Sequence, residues 1–167
     1  VRPGSVNVAN MKTELLALQP ATATNFPPDH GRVVLTVADA RDRDVIYRLR
    51  HEVYACELGQ HAANSAHRLR DVIDDWNIYL VAKVAGHITG FISLTPPGSA
   101  GYSIDKYVAR DALPFLFDDR LYEIRLLTVP RPHRGSDLAA LLMYAAFRWV
   151  EAHGGTRVVA IGRREVV

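Results

Sequence analysis

From Gly31 onward the apolar positions fall into runs whose spacing changes repeatedly, and each change predicts an element. Arg32-Val-Val-Leu-Thr-Val-Ala38 reads as a strand. Asp39 then offers an N-cap to a helix over residues 41–58, in which Val45, Ile46, Leu49, Val53, Tyr54 and Leu58 keep near-helical spacing, and Gly59 is placed to close it. A polar stretch from Gln60 to Arg70 leads into Asp71-Val-Ile-Asp-Asp75. Two apolar runs, residues 78–84 and 87–94, are joined by Ala85-Gly86 in the pattern of a hairpin, which Pro96-Pro97-Gly98 ends. Residues 99–120 carry a weaker pattern, with 109–117 readable as a short helix covering one side of the sheet. A further strand follows over 121–129, then a helix through Ala140-Leu-Leu-Met-Tyr-Ala-Ala-Phe-Arg-Trp-Val150. After Gly154-Gly155 comes a last strand over 156–161. The order β-α-β-β-β-α-β predicts an α/β (α+β) fold, a mixed central sheet with helices on both faces.

Residues 1–30 contrast with this, carrying Pro3, Gly4, Pro20, Pro27, Pro28 and two Ala-Thr pairs, and read as a flexible N-terminal extension to a domain over 31–167. A chain of 167 residues, 49% hydrophobic, supports one domain with a proper core rather than two. The formal charge of +2 is small and the basic residues alternate with acids, as in Arg41-Asp-Arg-Asp44, which argues against a nucleic-acid partner. The single cysteine, Cys56, has no intrachain partner and reads as a small buried apolar group in a protein of a reducing compartment. No apolar run approaches the roughly 20 residues that span a bilayer, so no membrane partner is expected and the location expected is cytoplasmic. The seven histidines show no metal-ligand spacing, and no metal is predicted.

The strongest chemical signal is the passage from strand to helix between residues 121 and 139. A buried-looking strand empties into a short turn, Pro130-Arg-Pro-His-Arg134-Gly135-Ser136-Asp137. The helix that follows begins with backbone N–H groups that have no partner within it and that favour an anion. The arrangement reads as a phosphate cradle. The strand, Val129, five residues, Arg134-Gly135 and the small Ala139 together resemble the donor-binding motif of the GCN5-related N-acetyltransferase (GNAT) superfamily. The resemblance implies that Arg134, Gly135, Ser136, Asp137, Leu138 and Ala139 hold the pyrophosphate or phosphate of a pantetheine thioester. The pantetheine arm would then run along Leu127, Thr128 and Val129. Asp137 stands where the family usually has its second glycine; its carboxylate either repels a diphosphate or turns to solvent and caps the helix.

A second resemblance lies upstream. Arg50-His-Glu-Val-Tyr54, Leu58-Gly59, and Asp71-Val-Ile-Asp74 ahead of Tyr79-Leu-Val81 resemble the acyl-homoserine-lactone and N-acyl amino acid synthases, a branch of the same fold fed by acylated carrier protein. The resemblance implies an acceptor-amine site at Arg50, Asp71 and Asp74. Ser93 stands where that branch has an arginine, which argues against a homoserine lactone product. Taken without the resemblance, Arg50 and Glu52 on an amphipathic helix read as a solvated face.

Amine acylation needs a base, a donor to the oxyanion and, for some leaving groups, an acid. Glu123, a glutamate on an otherwise buried central strand, is the candidate base; alternatively it forms an internal pair with Arg125, which also lines the acceptor site. Strand alternation puts Glu123, Arg125, Leu127 and Val129 on one face and Tyr122, Ile124, Leu126 and Thr128 on the other. The backbone N–H of Val129 is the oxyanion donor if the strand is bulged there, as the resemblance implies. The resemblance also implies an acidic tyrosine from a helix after the last strand. The sequence ends at Val167 without that helix, so it is a piece of a longer protein, or Tyr102 or Tyr107 serves, or the thiolate leaves unaided. His133, beside the cradle, either touches phosphate or is solvated.

The function expected is N-acyl transfer from acyl-CoA or an acyl carrier protein to the amine of a small molecule or amino acid. The alternative is a non-catalytic module of the same fold that binds a carrier protein or protein partner. Nothing after the last strand in this sequence covers its far edge, so a second copy, a partner subunit or residues 1–30 folding back is expected to cover it, a homodimer first among the three.

Overall fold

Alternation along the middle strands sorts the sheet into two unlike faces, and the two helices cover one each. The computed structural model describes residues 31–162; the expected N-terminal extension, residues 1–30, lies outside them. The strands are β1 (Val33–Val37), β2 (Ile78–Val84), β3 (His87–Thr95), β4 (Leu121–Thr128) and β5 (Arg157–Ala160), and they lie side by side in that order. Neighbours are antiparallel except β4 and β5, which run parallel through the crossover helix α2 (Leu138–Ala152). This is the mixed sheet with helices on both faces that the element order predicts.

On one face Leu80, Ala82, Ile92, Leu94, Tyr122 and Ile124 meet Leu138, Leu142, Ala145, Ala146, Trp149 and Val150 of α2 in a continuous apolar core. On the other, Tyr79, Val81 and Phe91 meet Ile46 of helix α1 (Ala40–Arg50). α1 starts as the sequence predicts. Asp39 accepts from the N–H of Asp42, whose carboxylate in turn accepts from the N–H of Asp39. The hairpin turn is also the expected one, since Ala85 and Gly86 both have positive φ (48° and 81°), the geometry that suits a two-residue connection.

Three elements differ from the sequence reading. The helix over 41–58 is two pieces: α1 ends at Arg50 and one widened π-helical segment, His51–Glu57, continues it to Leu58. The helix read over 109–117 is absent. Short 3₁₀ turns at Ser103–Lys106 and Arg110–Ala112 stand in this region, and Phe115 and Phe117 pack against Tyr102, Ile104, Leu121 and Val159 instead. Cys56 is exposed rather than buried; in the π-helical segment it is His51, Val53 and Ala55 that are buried.

The alternation read along β4 also fails, for a local reason. Leu126 has φ +56°, and the pairing with β3 slips between Ser93↔Arg125 and Phe91↔Thr128, which marks a bulge. Past it the faces exchange. Leu126 packs beside Phe91 on the α1 face, where Thr128 also lies, while Val129 packs against the α2 core. Glu123, Arg125, Leu126 and Thr128 therefore share the α1 face. The bulge lies before Thr128, not at Val129.

Candidate active site

Beneath α1 the sheet buries charge instead of hydrocarbon. Asp42, Ile46 and Arg50 form the buried stripe of α1, so the last residue of the helix points down onto the strands. Arg50 is 3% exposed, not part of a solvated face. Its Nη1 donates to Asp74 Oδ2 (2.6 Å) and to the Tyr79 hydroxyl (3.0 Å), and its Nη2 reaches Asp71 Oδ2 (3.4 Å). Asp74 is wholly buried and also receives the Tyr79 hydroxyl (2.6 Å), Asn77 Nδ2 (3.2 Å) and the Asp71 backbone N–H (2.7 Å).

The delivery of both carboxylates to one place has a local cause. Asp71 caps the 3₁₀ turn Val72–Asp75 by accepting from the N–H of Ile73, and Asp74, at the third position of that turn, bonds back to the N–H of Asp71. Arg43 fixes the same loop from α1 by donating to the carbonyls of Asp74 (3.0 Å) and Asn77 (2.5 Å). Burial pushes the Asp71 carboxyl up, but Arg125 and Arg50 outweigh this and hold it below the ordinary carboxylate range. Burial likewise raises the Tyr79 hydroxyl well above its usual value.

Arg125 pairs with Asp71 (Nη2 to Oδ2, 2.5 Å), so the internal Glu123–Arg125 pair offered as the alternative for Glu123 is not formed. Glu123, with no exposed surface, accepts instead from the N–H groups of Ser103 (2.9 Å) and Ile104 (3.1 Å) and from the Ser103 hydroxyl (2.5 Å). It anchors the start of the Ser103–Lys106 turn against β4. Thr95 links it to Asn77, with a hydroxyl 2.7 Å from Asn77 Oδ1 and 3.4 Å from Glu123 Oε2. The structure thus joins Arg50, Asp71, Asp74, Arg125 and Glu123 in one buried polar layer. Asn77, Thr95 and Ser103 belong to it and were not picked out from sequence, and Tyr79 entered only as part of a resemblance with no role assigned, although Asp71-x-x-Asp74 carries a capping signal. Among the described residues, Arg50 Nε, Arg125 Nη1 and Ser93 Oγ on this face are buried polar atoms without a partner. Ser93 and Arg125 are directly paired positions on β3 and β4.

Tyr102 lies apart from this layer. Its hydroxyl donates to the carbonyl of Leu121 (2.9 Å) and burial pushes its pKa up to about 12, while Tyr107 is exposed. At the far end of β4, Tyr54 of the π-helical segment bonds to the hydroxyl of Thr128 (2.9 Å), which donates to the carbonyl of Leu126 beside the bulge (2.9 Å).

The turn after β4 has the geometry read from sequence in outline. Gly135 has φ +81° with open space around it, so glycine is needed there for the backbone conformation rather than for room. Asp137 is exposed and its side chain caps nothing; the first N–H of α2, that of Leu138, is 3.5 Å from Ser136 Oγ. Ala139 follows in the first turn of α2. Arg134 donates through Nε to the carbonyl of Val129 (2.9 Å) and forks onto Glu57. The ladder between β4 and β5 ends at Ile124↔Ala160, leaving residues 125–128 of β4 without a β5 partner. Among the described residues no cluster of His, Cys, Asp or Glu is suited to a metal, and no helix is long and apolar enough to cross a membrane.

Solved structures share this architecture. The CoA-dependent acyl-homoserine lactone synthase BjaI, solved with SAM and isopentyl-CoA, matches with a TM-score of 0.67 at 22% identity over 81% of this chain and 69% of its own. The acyl-homoserine lactone synthase LasI matches at 0.67 and 14% identity over 81% and 75%. The ribosomal-protein-alanine N-acetyltransferase of Brucella melitensis biovar Abortus 2308 matches at 0.53 and 20% identity over 80% and 82%. Among curated proteins none matches. Residues 44–165 match the family model described as acetyltransferase (GNAT) family, and the chain belongs to that family of acyltransferases.

Proposed function

We propose that the protein transfers an acyl group from a pantetheine thioester, carried by coenzyme A or by an acyl carrier protein, to the amine of a small molecule or amino acid. The observation that carries this reading is the course of β4. One strand leads from the buried ionic layer at Arg125, through the bulge at Leu126, to the turn at Arg134-Gly135. Along its last four residues no described residue pairs with the β5 side, which supports a pantetheine arm lying at Leu127, Thr128 and Val129. The donor's phosphates then meet the turn of Arg134, Gly135 and Ser136 and the start of α2 at Asp137, Leu138 and Ala139.

In this reading Arg50, Asp71, Asp74 and Arg125 orient the acceptor, and Glu123 takes its ammonium proton by way of the Ser103 hydroxyl. The freed amine attacks the thioester carbon. A backbone N–H of residues 127–129 faces the oxyanion, and collapse to the amide expels the thiolate, which takes up the proton lost by nitrogen. A thiolate leaves without an acid; Tyr102 is the acid only if it gives up Leu121. A second copy of the chain covering β5 is part of the proposal, and light scattering should report a dimer at micromolar concentration.

Thiol release from acyl-CoA and acyl carrier protein, measured against a panel of amines and amino acids, tests the reading. An amine-dependent release that Gly135→Val abolishes is expected. Donor binding without any amine-dependent release would instead favour the non-catalytic module.

A further inference from the structure

The turn that should hold the donor's phosphates already holds an anion of its own. Glu57, the last residue of the π-helical segment, is 15% exposed and places Oε1 2.5 Å from Arg134 Nη1 and Oε2 2.9 Å from Arg134 Nη2. Arg131 Nε lies 3.4 Å from the same Oε1. Arg134 Nε donates to the carbonyl of Val129. The two-point fork of the guanidinium is therefore occupied by a carboxylate, one N–H on each Nη is left over, and the turn's two arginines share the region with Glu57 and the exposed Asp137. A guanidinium fork binds carboxylate and phosphate by the same planar, two-point geometry, so the two compete for one partner.

We propose that Glu57 is a built-in counter-anion of the donor site: a selectivity residue that a donor phosphate has to displace from Arg134. This rests on the proposed donor site. It adds that the turn rejects weakly charged anions, for which Glu57 is an adequate substitute, and admits a donor only when its phosphates and its pantetheine arm together outweigh the internal pair. Glu57 is neither charged machinery for the acyl transfer nor a contact to the acceptor. Its effect is confined to how tightly the phosphate end is held.

Calorimetry with coenzyme A on the full chain tests this, using Glu57→Gln, Glu57→Asp, Arg134→Met and the Glu57→Gln/Arg134→Met double variant. Removing the charge should tighten coenzyme A binding about fivefold at low salt, with the gain shrinking as salt is raised, as for a partly exposed charge pair. Glu57→Asp, which keeps the charge but withdraws it by one methylene, should give a smaller gain. Relative to Arg134→Met alone, the double variant should gain nothing. Equal or weaker binding by Glu57→Gln, with an unchanged circular dichroism spectrum, overturns the proposal, because Glu57 would then be holding Arg134 in place for the phosphate. A gain that persists without Arg134 overturns it as well. If neither coenzyme A nor an acyl carrier protein binds wild type or Glu57→Gln, the donor site itself is refuted and the proposal goes with it; if the donor binds both equally, only the proposal fails.

Discussion

The two faces of the sheet are built from the same strands and solve opposite problems. Leu80, Ile92, Leu94 and Ile124 face α2 and make a dry core, while their immediate neighbours Tyr79, Ser93, Thr95 and Glu123 face the α1 side, where Arg50, Asp71, Asp74 and Arg125 are gathered. The apolar face gains from removing hydrocarbon from water, with no demand on geometry beyond fit. The polar face must satisfy every donor and acceptor it buries. It nearly does so for the carboxylates, since Asp74 accepts four hydrogen bonds and Glu123 three from the Ser103–Ile104 segment alone. It leaves donors over at Arg50 Nε, Arg125 Nη1 and Ser93 Oγ; across the sheet Trp149 Nε1 is likewise unpaired. Each buried donor left without a partner carries a desolvation cost, so the polar layer contributes less to stability than the apolar one beside it.

Removing one member of the ionic layer should break this contrast most severely. Arg50→Ala strands the buried carboxylate of Asp74 and is expected to destabilise the protein by about 3–5 kcal/mol in chemical denaturation. Arg50→Lys should recover part of that stability and little of the acyl transfer, because a single ammonium cannot serve Asp74, Tyr79 and Asp71 together. The matching change on the apolar face is Leu142→Ala, fully buried in the second turn of α2. A cavity there should cost about 3 kcal/mol while the protein that remains folded keeps its KM for acceptor. If Leu142→Ala changed acceptor KM as much as Arg50→Lys did, the two faces would not be functionally distinct.

A smaller effect separates the faces by pH. Asp71 is held below the ordinary carboxylate range when folded, so its contribution to stability is fully present above the unfolded value of about 4 and is lost as pH falls through the folded value. Wild type should therefore lose stability more steeply below about pH 4 than Asp71→Asn does. Parallel curves for the two proteins would show that the carboxylate gains nothing from Arg125 and Arg50.

The apolar face and the ends of several elements were legible in the sequence because they obey local rules: the Asp39 cap of α1, the Ala85-Gly86 turn, and the strand, turn and helix around Arg134-Gly135 each follow from neighbours in the chain. The polar face was legible in its members but not in their pairing. Arg50 reads as surface because arginine on an amphipathic helix usually is surface; only the approach of the Asp71–Asp74 turn, held by Arg43, makes its burial tolerable. Glu123 and Arg125 sit two apart on one face and look like partners, yet each has a better one elsewhere, in Ser103–Ile104 and Asp71. The bulge at Leu126 is a backbone event that no alternation pattern announces, and it alone exchanges the faces of the last part of β4. The fork between Glu57 and Arg134, 77 residues apart, depends on where the π-helical segment ends.

The finest division lies within the polar face itself, between a hydroxyl that has a partner and one that has none. Ser103 donates to Glu123 at 2.5 Å, so Ser103→Ala leaves a buried carboxylate oxygen short of a donor and should cost about 1–3 kcal/mol. Ser93 is completely buried, unlike Ser103, yet its hydroxyl has no partner among the described residues. Removing an unpaired buried hydroxyl relieves a desolvation penalty, so Ser93→Ala should leave stability unchanged or raise it by up to about 1 kcal/mol. If the hydroxyl is kept for the acceptor, beside the unpaired Nη1 of Arg125, the same variant should raise the KM for acceptor several-fold and leave that for the acyl donor alone. A stabilised variant with unchanged kinetics would make Ser93 a packing residue and take it out of the site. One that is destabilised would mean that the hydroxyl has a partner after all, which would shift the contrast between the faces toward a fully satisfied polar layer.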